Sequence, residues 1–143
     1  MAKRIVDKGT EPRLRATETE KITINLGYVD LGQIDLLVRD GFYSNRTDLI
    51  RTAIRNQVER HADVLDRSTK RKKLDLGLQH YSREQLETLR VAGERIDIRV
   101  IGLACIASDV SPELARATIG AVVVLGALEA TSAVRDALGD RIA

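Results

Sequence analysis

Three polar side chains stand at alternate positions of one short run: Lys21, Thr23 and Asn25 in "EKITINL", residues 20–26. Ile22, Ile24 and Leu26 fall between them. A strict period of two marks a strand with two unlike faces. The polar face carries an ammonium, a hydroxyl beside a methyl, and a carboxamide, and these match the edges of base pairs. Lys donates to guanine N7 and O6, Asn pairs with adenine N6 and N7, and Thr offers thymine its methyl.

Such a face needs elements to hold it. Ahead of it, residues 1–19 show little apolar periodicity and carry Lys3, Arg4, Lys8, Arg13 and Arg15, which reads as a flexible basic arm. Behind it, Asp30 precedes Gln33 by three, a capping-box spacing that predicts a helix with Leu31, Ile34, Leu37 and Val38 on one face. Gly41 is the expected left-handed stop. Ser44 is then placed to cap a second helix over residues 45–65, where Leu49, Ile50, Ala53, Ile54 and Val58 recur at helical spacing.

This strand-helix-helix unit, residues 20–66, cannot stand alone. A seven-residue strand without a partner leaves its backbone donors and acceptors unmet. The simplest partner is the same strand from a second copy. Two strands antiparallel about a twofold axis would lay one apolar face on four helices, with Ile22, Ile24, Leu26, Ile34, Leu37, Leu49, Ile50 and Ile54 as the shared core. The polar face then points outward, and a two-stranded ribbon fits the major groove of B-DNA.

"KITINL" followed by "DLGQIDLLVRDGFYSNRTDLIRTAIRNQV" resembles the ribbon-helix-helix DNA-binding proteins, transcriptional regulators of the Arc and MetJ type, across residues 20–60. The resemblance implies an obligate homodimer bound to double-stranded DNA. It makes Lys21, Thr23 and Asn25 the base readers and Ser44, Asn45 and Arg46 the phosphate clamp. Backbone amides and the dipole at a helix start suit a phosphate oxygen. Because the strand face holds one cation, further phosphate contacts are expected from the arm, Arg46 and Arg51. The expected function is sequence-specific regulation as a repressor.

Composition agrees with a basic first half. Of 143 residues, 43% are hydrophobic and 31% charged, enough for one domain or two small ones. Residues 1–73 hold 16 Lys and Arg against 11 Asp and Glu; residues 74–143 hold 7 against 10. A polyanion should therefore meet the first half. "TKRKK" at 69–73 falls in an expected basic linker, residues 67–73. Cys105 is the one cysteine, so no intrachain disulfide forms and a reducing compartment is expected. The first ten residues lack an apolar h-region, and "AVVVLGAL" at 121–128 is short of the roughly 20 residues of a membrane helix. The expectation is a cytoplasmic protein without membrane association.

Residues 74–143 carry a different pattern. Shifted by 24, "VIGLACIASDVSPEL" at 100–114 lies over "VLGALEATSAVRDAL" at 124–138, matching Val100 to Val124, Gly102 to Gly126, Ser108 to Ser132, Val110 to Val134 and Leu114 to Leu138. Each unit reads as a strand and a capped helical turn, with Ser111 as cap and Pro112 first in the helix. A fainter unit precedes them, with Ser82 and Gln85 as its capping box. The expected fold class is α+β: a ribbon-helix-helix unit followed by a small α/β strand-helix repeat region. So few units leave apolar strands that another subunit would cover, which makes residues 74–143 an expected oligomerisation module joining dimers into higher homo-oligomers. The alternative is a small ligand-sensing domain. His61, His80 and Cys105 are scattered, so no metal site or cofactor is expected, and Cys105 reads as core. No phosphate loop or nucleophile elbow appears, and no enzymatic activity is expected. The rival function is an antitoxin-like or scaffolding protein that uses the unit to dimerise.

Overall fold

The computed structural model describes residues 19–143; the basic arm lies outside them save for Thr19. The chain divides into two compact units, Met1–Asp63 and Val64–Ala143.

In the first unit, residues 19–27 form no helix and join no strand of the described residues. Helices α1 (Tyr28–Arg39) and α2 (Arg46–Arg60) follow. The start of α1 corrects one expectation: Gly27 is its N-cap, with no side-chain cap, and Asp30 sits inside the first turn. There a carboxylate still favours the positive end of the helix dipole. The stop falls where expected. Gly41 adopts φ +86, the Gly41 N–H donates to Val38 O at 3.1 Å, and the Phe42 N–H donates to Leu37 O at 3.0 Å. This closes the last turn through a left-handed residue. The cap of α2 is Asn45 rather than Ser44: its side chain accepts from the Asp48 N–H at 2.8 Å.

The periodic run expected as one helix over 45–65 breaks at His61 and resumes as α3 (Ala62–Lys72). The basic residues of 67–73 are thus mostly helical. Lys70, Arg71 and Lys72 fill the last turn of α3, where the negative end of the dipole favours cations. Lys73 takes φ +53, and the Leu74 N–H donates back to Thr69 O.

The second unit is three strand-helix steps: β1 (Asp75–Tyr81), α4 (Arg83–Ala92), β2 (Ile96–Ile106), α5 (Pro112–Thr118), β3 (Ile119–Glu129) and α6 (Ser132–Ala137), with a 3-10 turn at Gly139–Arg141. The strands form one parallel sheet in the order β1-β2-β3. Each helix has a hydroxyl cap: Ser82 accepts from the Gln85 N–H, Ser111 from Leu114, and Thr131 from Val134. The helices cover one face of the sheet. Leu86, Leu114, Ala115, Val134 and Leu138 pack there on Ile98, Val100, Ala104, Ile106 and Val122. Truncating one such leucine to Ala would cost about 2–5 kcal/mol.

Pairing sets Val100 beside Val124 and Gly102 beside Gly126; the same two columns continue to Asp75 and Gly77 on β1. Val110, Val134, Leu114 and Leu138 are all buried. The glycine column has a steric cause. Gly77, Gly102 and Gly126 adopt φ +119, +135 and +123, and a Cβ on Gly102 or Gly126 would overlap the carbonyl of the preceding glycine. Other residues rarely take such angles. On the opposite face Leu76 and Leu125 of the outer strands are 77% and 52% exposed, while Leu103 and Cys105 of the central strand are buried and Arg99 donates to Lys72 O at the end of α3.

Among the described residues, every buried side chain lies between Leu74 and Leu138. The first unit, in a single chain, buries none.

Candidate nucleic-acid interface

Lys21, Thr23 and Asn25 lie exposed in the segment ahead of α1, which forms neither helix nor strand. Their apolar neighbours are exposed too: Ile22 at 71%, Ile24 at 56%, and Leu26 more modestly. Nothing among the described residues covers them. Ile34, Leu49 and Ile50 on the helices are half-buried, whereas Leu37 and Ile54 are exposed. An apolar set of this size left in water is the surface feature that calls for a partner.

The head of α2 is built by reciprocal capping. Asn45 accepts from the Asp48 N–H, and the Asp48 carboxylate accepts from the Ser44 N–H at 2.9 Å. Two expected phosphate contacts, Ser44 and Asn45, are therefore occupied in shaping the turn through main chain and side chain respectively. The N–H groups of Arg46 and Thr47 belong to the first turn, which has no intrahelical acceptors for its donors. They remain the natural anion seat, although the nearby Asp48 carboxylate opposes a negative ligand.

Arg46 has its own partner. Its Nε and Nη2 donate to the two carboxylate oxygens of Asp35, each at 2.8 Å, joining the head of α2 to α1. That hydrogen bonding holds the Asp35 carboxyl below its usual range, against desolvation, with the charges of Arg46 and Arg39 adding to the lowering. The same contact raises the Arg46 pKa. Arg51, by contrast, is exposed along α2. Sequence spacing did not disclose the Asp35–Arg46 pair. The residues stand 11 apart across a turn, and no periodicity links two helices.

The second unit brings together residues that looked scattered. His80, Cys105 and Glu129 are Cα partners on adjacent strands, and the Cys105 thiol donates to Glu129 Oε2 at 3.4 Å. Cys105 is buried, as its apolar strand implied. Among the described residues no group of three His, Cys, Asp or Glu is placed to hold a metal ion. Likewise no helix is long and apolar enough to cross a membrane.

The model of the Ribbon-Helix-Helix transcriptional regulator family matches residues 17–135. No curated protein and no solved structure matches the chain.

Proposed function

The chain belongs to the Ribbon-Helix-Helix transcriptional regulator family, and from that premise we propose that it is a sequence-specific DNA-binding repressor acting as a homodimer. The observation that carries this reading is that no described side chain of the first unit is buried while Ile22, Ile24 and Leu26 stand exposed. Pairing residues 20–26 of two copies would meet their backbone groups, cover that apolar set, and turn Lys21, Thr23 and Asn25 outward as an antiparallel ribbon for the major groove. The first-turn amides of α2, with Arg51, would position the phosphate backbone. Residues 74–143 then join dimers into higher oligomers, a role supported by the exposed Leu76 and Leu125 on the outer strands of the sheet. A cytoplasmic location fits a regulator of this kind.

A second reading draws on Arg46. Its guanidinium is engaged by Asp35, which favours a protein that uses the unit to dimerise, as a scaffold or antitoxin does. Titrating a randomised DNA pool at several salt concentrations separates the two. A preferred sequence bound with a steep salt dependence supports the regulator; self-association without such binding leaves the scaffold.

A further inference from the structure

Among the described residues the β1 edge of the sheet in the second unit is open and the β3 edge is open over most of residues 124–129, and the two are complementary to each other. β1 pairs with β2 alone among the described residues, in a parallel ladder, and β3 pairs with β2 and, on its other side, only through an isolated bridge from Ile142 to Val122. Unpaired backbone groups along an edge form a template for another strand.

The glycine column gives the direction. At each internal step, the vacant Cβ position of the later glycine faces the carbonyl of the earlier one: Gly102 against Gly77 O, and Gly126 against Gly102 O. Gly77 adopts the same backbone angle, φ +119, yet no atom lies within 4 Å of its Cβ position. No neighbour among the described residues demands a glycine there. At the other edge, Gly126 presents its own carbonyl outward by the same geometry.

We infer that β1 of a second copy adds to the free edge of β3, parallel and in the register that relates β2 to β3, placing Gly77 beside Gly126 and Leu76 beside Leu125. This deepens the assembly role proposed for residues 74–143, and rests on it. Residues 75–80 of one copy pair with residues 124–129 of the next. The row Leu76–Ile101–Leu125 fits this: its central member is half-buried between two neighbours, while the outer two are exposed for want of one each.

Two contacts bracket the free stretch of β3. Ile142 bridges Val122, with the Ala143 N–H donating to Val122 O, two residues before the pairing would begin. Further along, the Arg135 guanidinium donates to Leu128 O. Arg135 is exposed and must swing aside for a full ladder. The contact is head-to-tail, so it produces a ring or an open array rather than a closed pair.

Cysteine trapping tests this on the full chain. Within one chain, residues 76 and 125 lie two strands apart with Ile101 between them, about 10 Å at the usual strand spacing, beyond disulfide reach. In the inferred contact they are direct neighbours. Mild oxidation of the Leu76→Cys, Leu125→Cys double variant should give a ladder of covalent multimers on a non-reducing gel, and neither single variant nor the parent chain should. Arg135→Ala added to the double variant should lengthen the ladder. Covalent dimers from Leu76→Cys alone would mean symmetric β1–β1 pairing and overturn the inference, as would a double variant that remains uncrosslinked. Light scattering of the parent chain separates the two levels. A mass above the dimer without a ladder rejects this edge contact, and a mass that stays at the dimer rejects the assembly role itself.

Discussion

Arg46, at the head of α2, holds both carboxylate oxygens of Asp35 on α1 at 2.8 Å, so the same guanidinium that would meet a phosphate fastens two helices. The two uses compete. Asp35→Asn weakens the intramolecular claim, and the variant should bind DNA of any sequence more tightly, with a salt slope steeper by about one. Unchanged slope and affinity would mean that Arg46 serves the fold alone.

The same pair has a pH signature. The folded-state pKa of Asp35 lies below its ordinary 3.8, so the stabilisation it gives is present above that value and is lost as pH falls through the lower, folded one. In an Arg46→Gln chain the Asp35 titration, followed by NMR, should move back up toward the ordinary value. Both carboxylate and guanidinium are well exposed, so the effect on global stability is small.

Ile24→Asp places a charge where the shared core is expected, at a cost of several kcal/mol. Analytical ultracentrifugation should show the dimer lost, with α1 and α2 losing ellipticity as well. A well-folded α1–α2 pair in a monomeric variant would contradict a core completed by a second copy.

Thr23→Ala and Asn25→Ala should each lose about 1–3 kcal/mol on the preferred site and relax preference at one position, with little effect on random DNA. Equal losses on both DNAs would place these side chains away from the bases.

Gly102→Ala combines a left-handed angle, φ +135, with overlap on Gly77 O, whereas Gly93→Ala, at φ +70, meets open space. The second should cost about 1 kcal/mol, the strain of left-handed alanine. The first should cost considerably more, because the β1–β2 pairing must part to admit the methyl. Paired thermal melts decide it.

How much of this was legible depended on the range of each interaction. Gly41 as the stop of α1, Ser82 with Gln85, and Ser111 with Pro112 were readable because caps and stops are fixed by residues three or four apart. The caps of α1 and α2 were misplaced by a few residues. Gly27 and Asn45 are as able to begin a helix as Asp30 and Ser44, and sequence gives no measure of which backbone angle prevails. The break at His61 was missed since apolar periodicity persists through it. The Asp35–Arg46 pair and the His80–Cys105–Glu129 row arise from chain crossings, which local pattern does not encode. The 24-residue correspondence supplied the partners Val100–Val124 and Gly102–Gly126, but not why glycine must stand there.

The empty interior of α1 and α2 bears on dosage. With a core supplied by two chains, the number of competent readers grows with the square of chain concentration while copies are scarce, and linearly once most are paired. A cell holding few copies would then leave its sites nearly vacant, and a modest rise in synthesis would fill them abruptly. Such a threshold requires no effector and no second protein; it follows from side chains such as Ile22 and Ile24 having nothing among the described residues of their own chain to rest against.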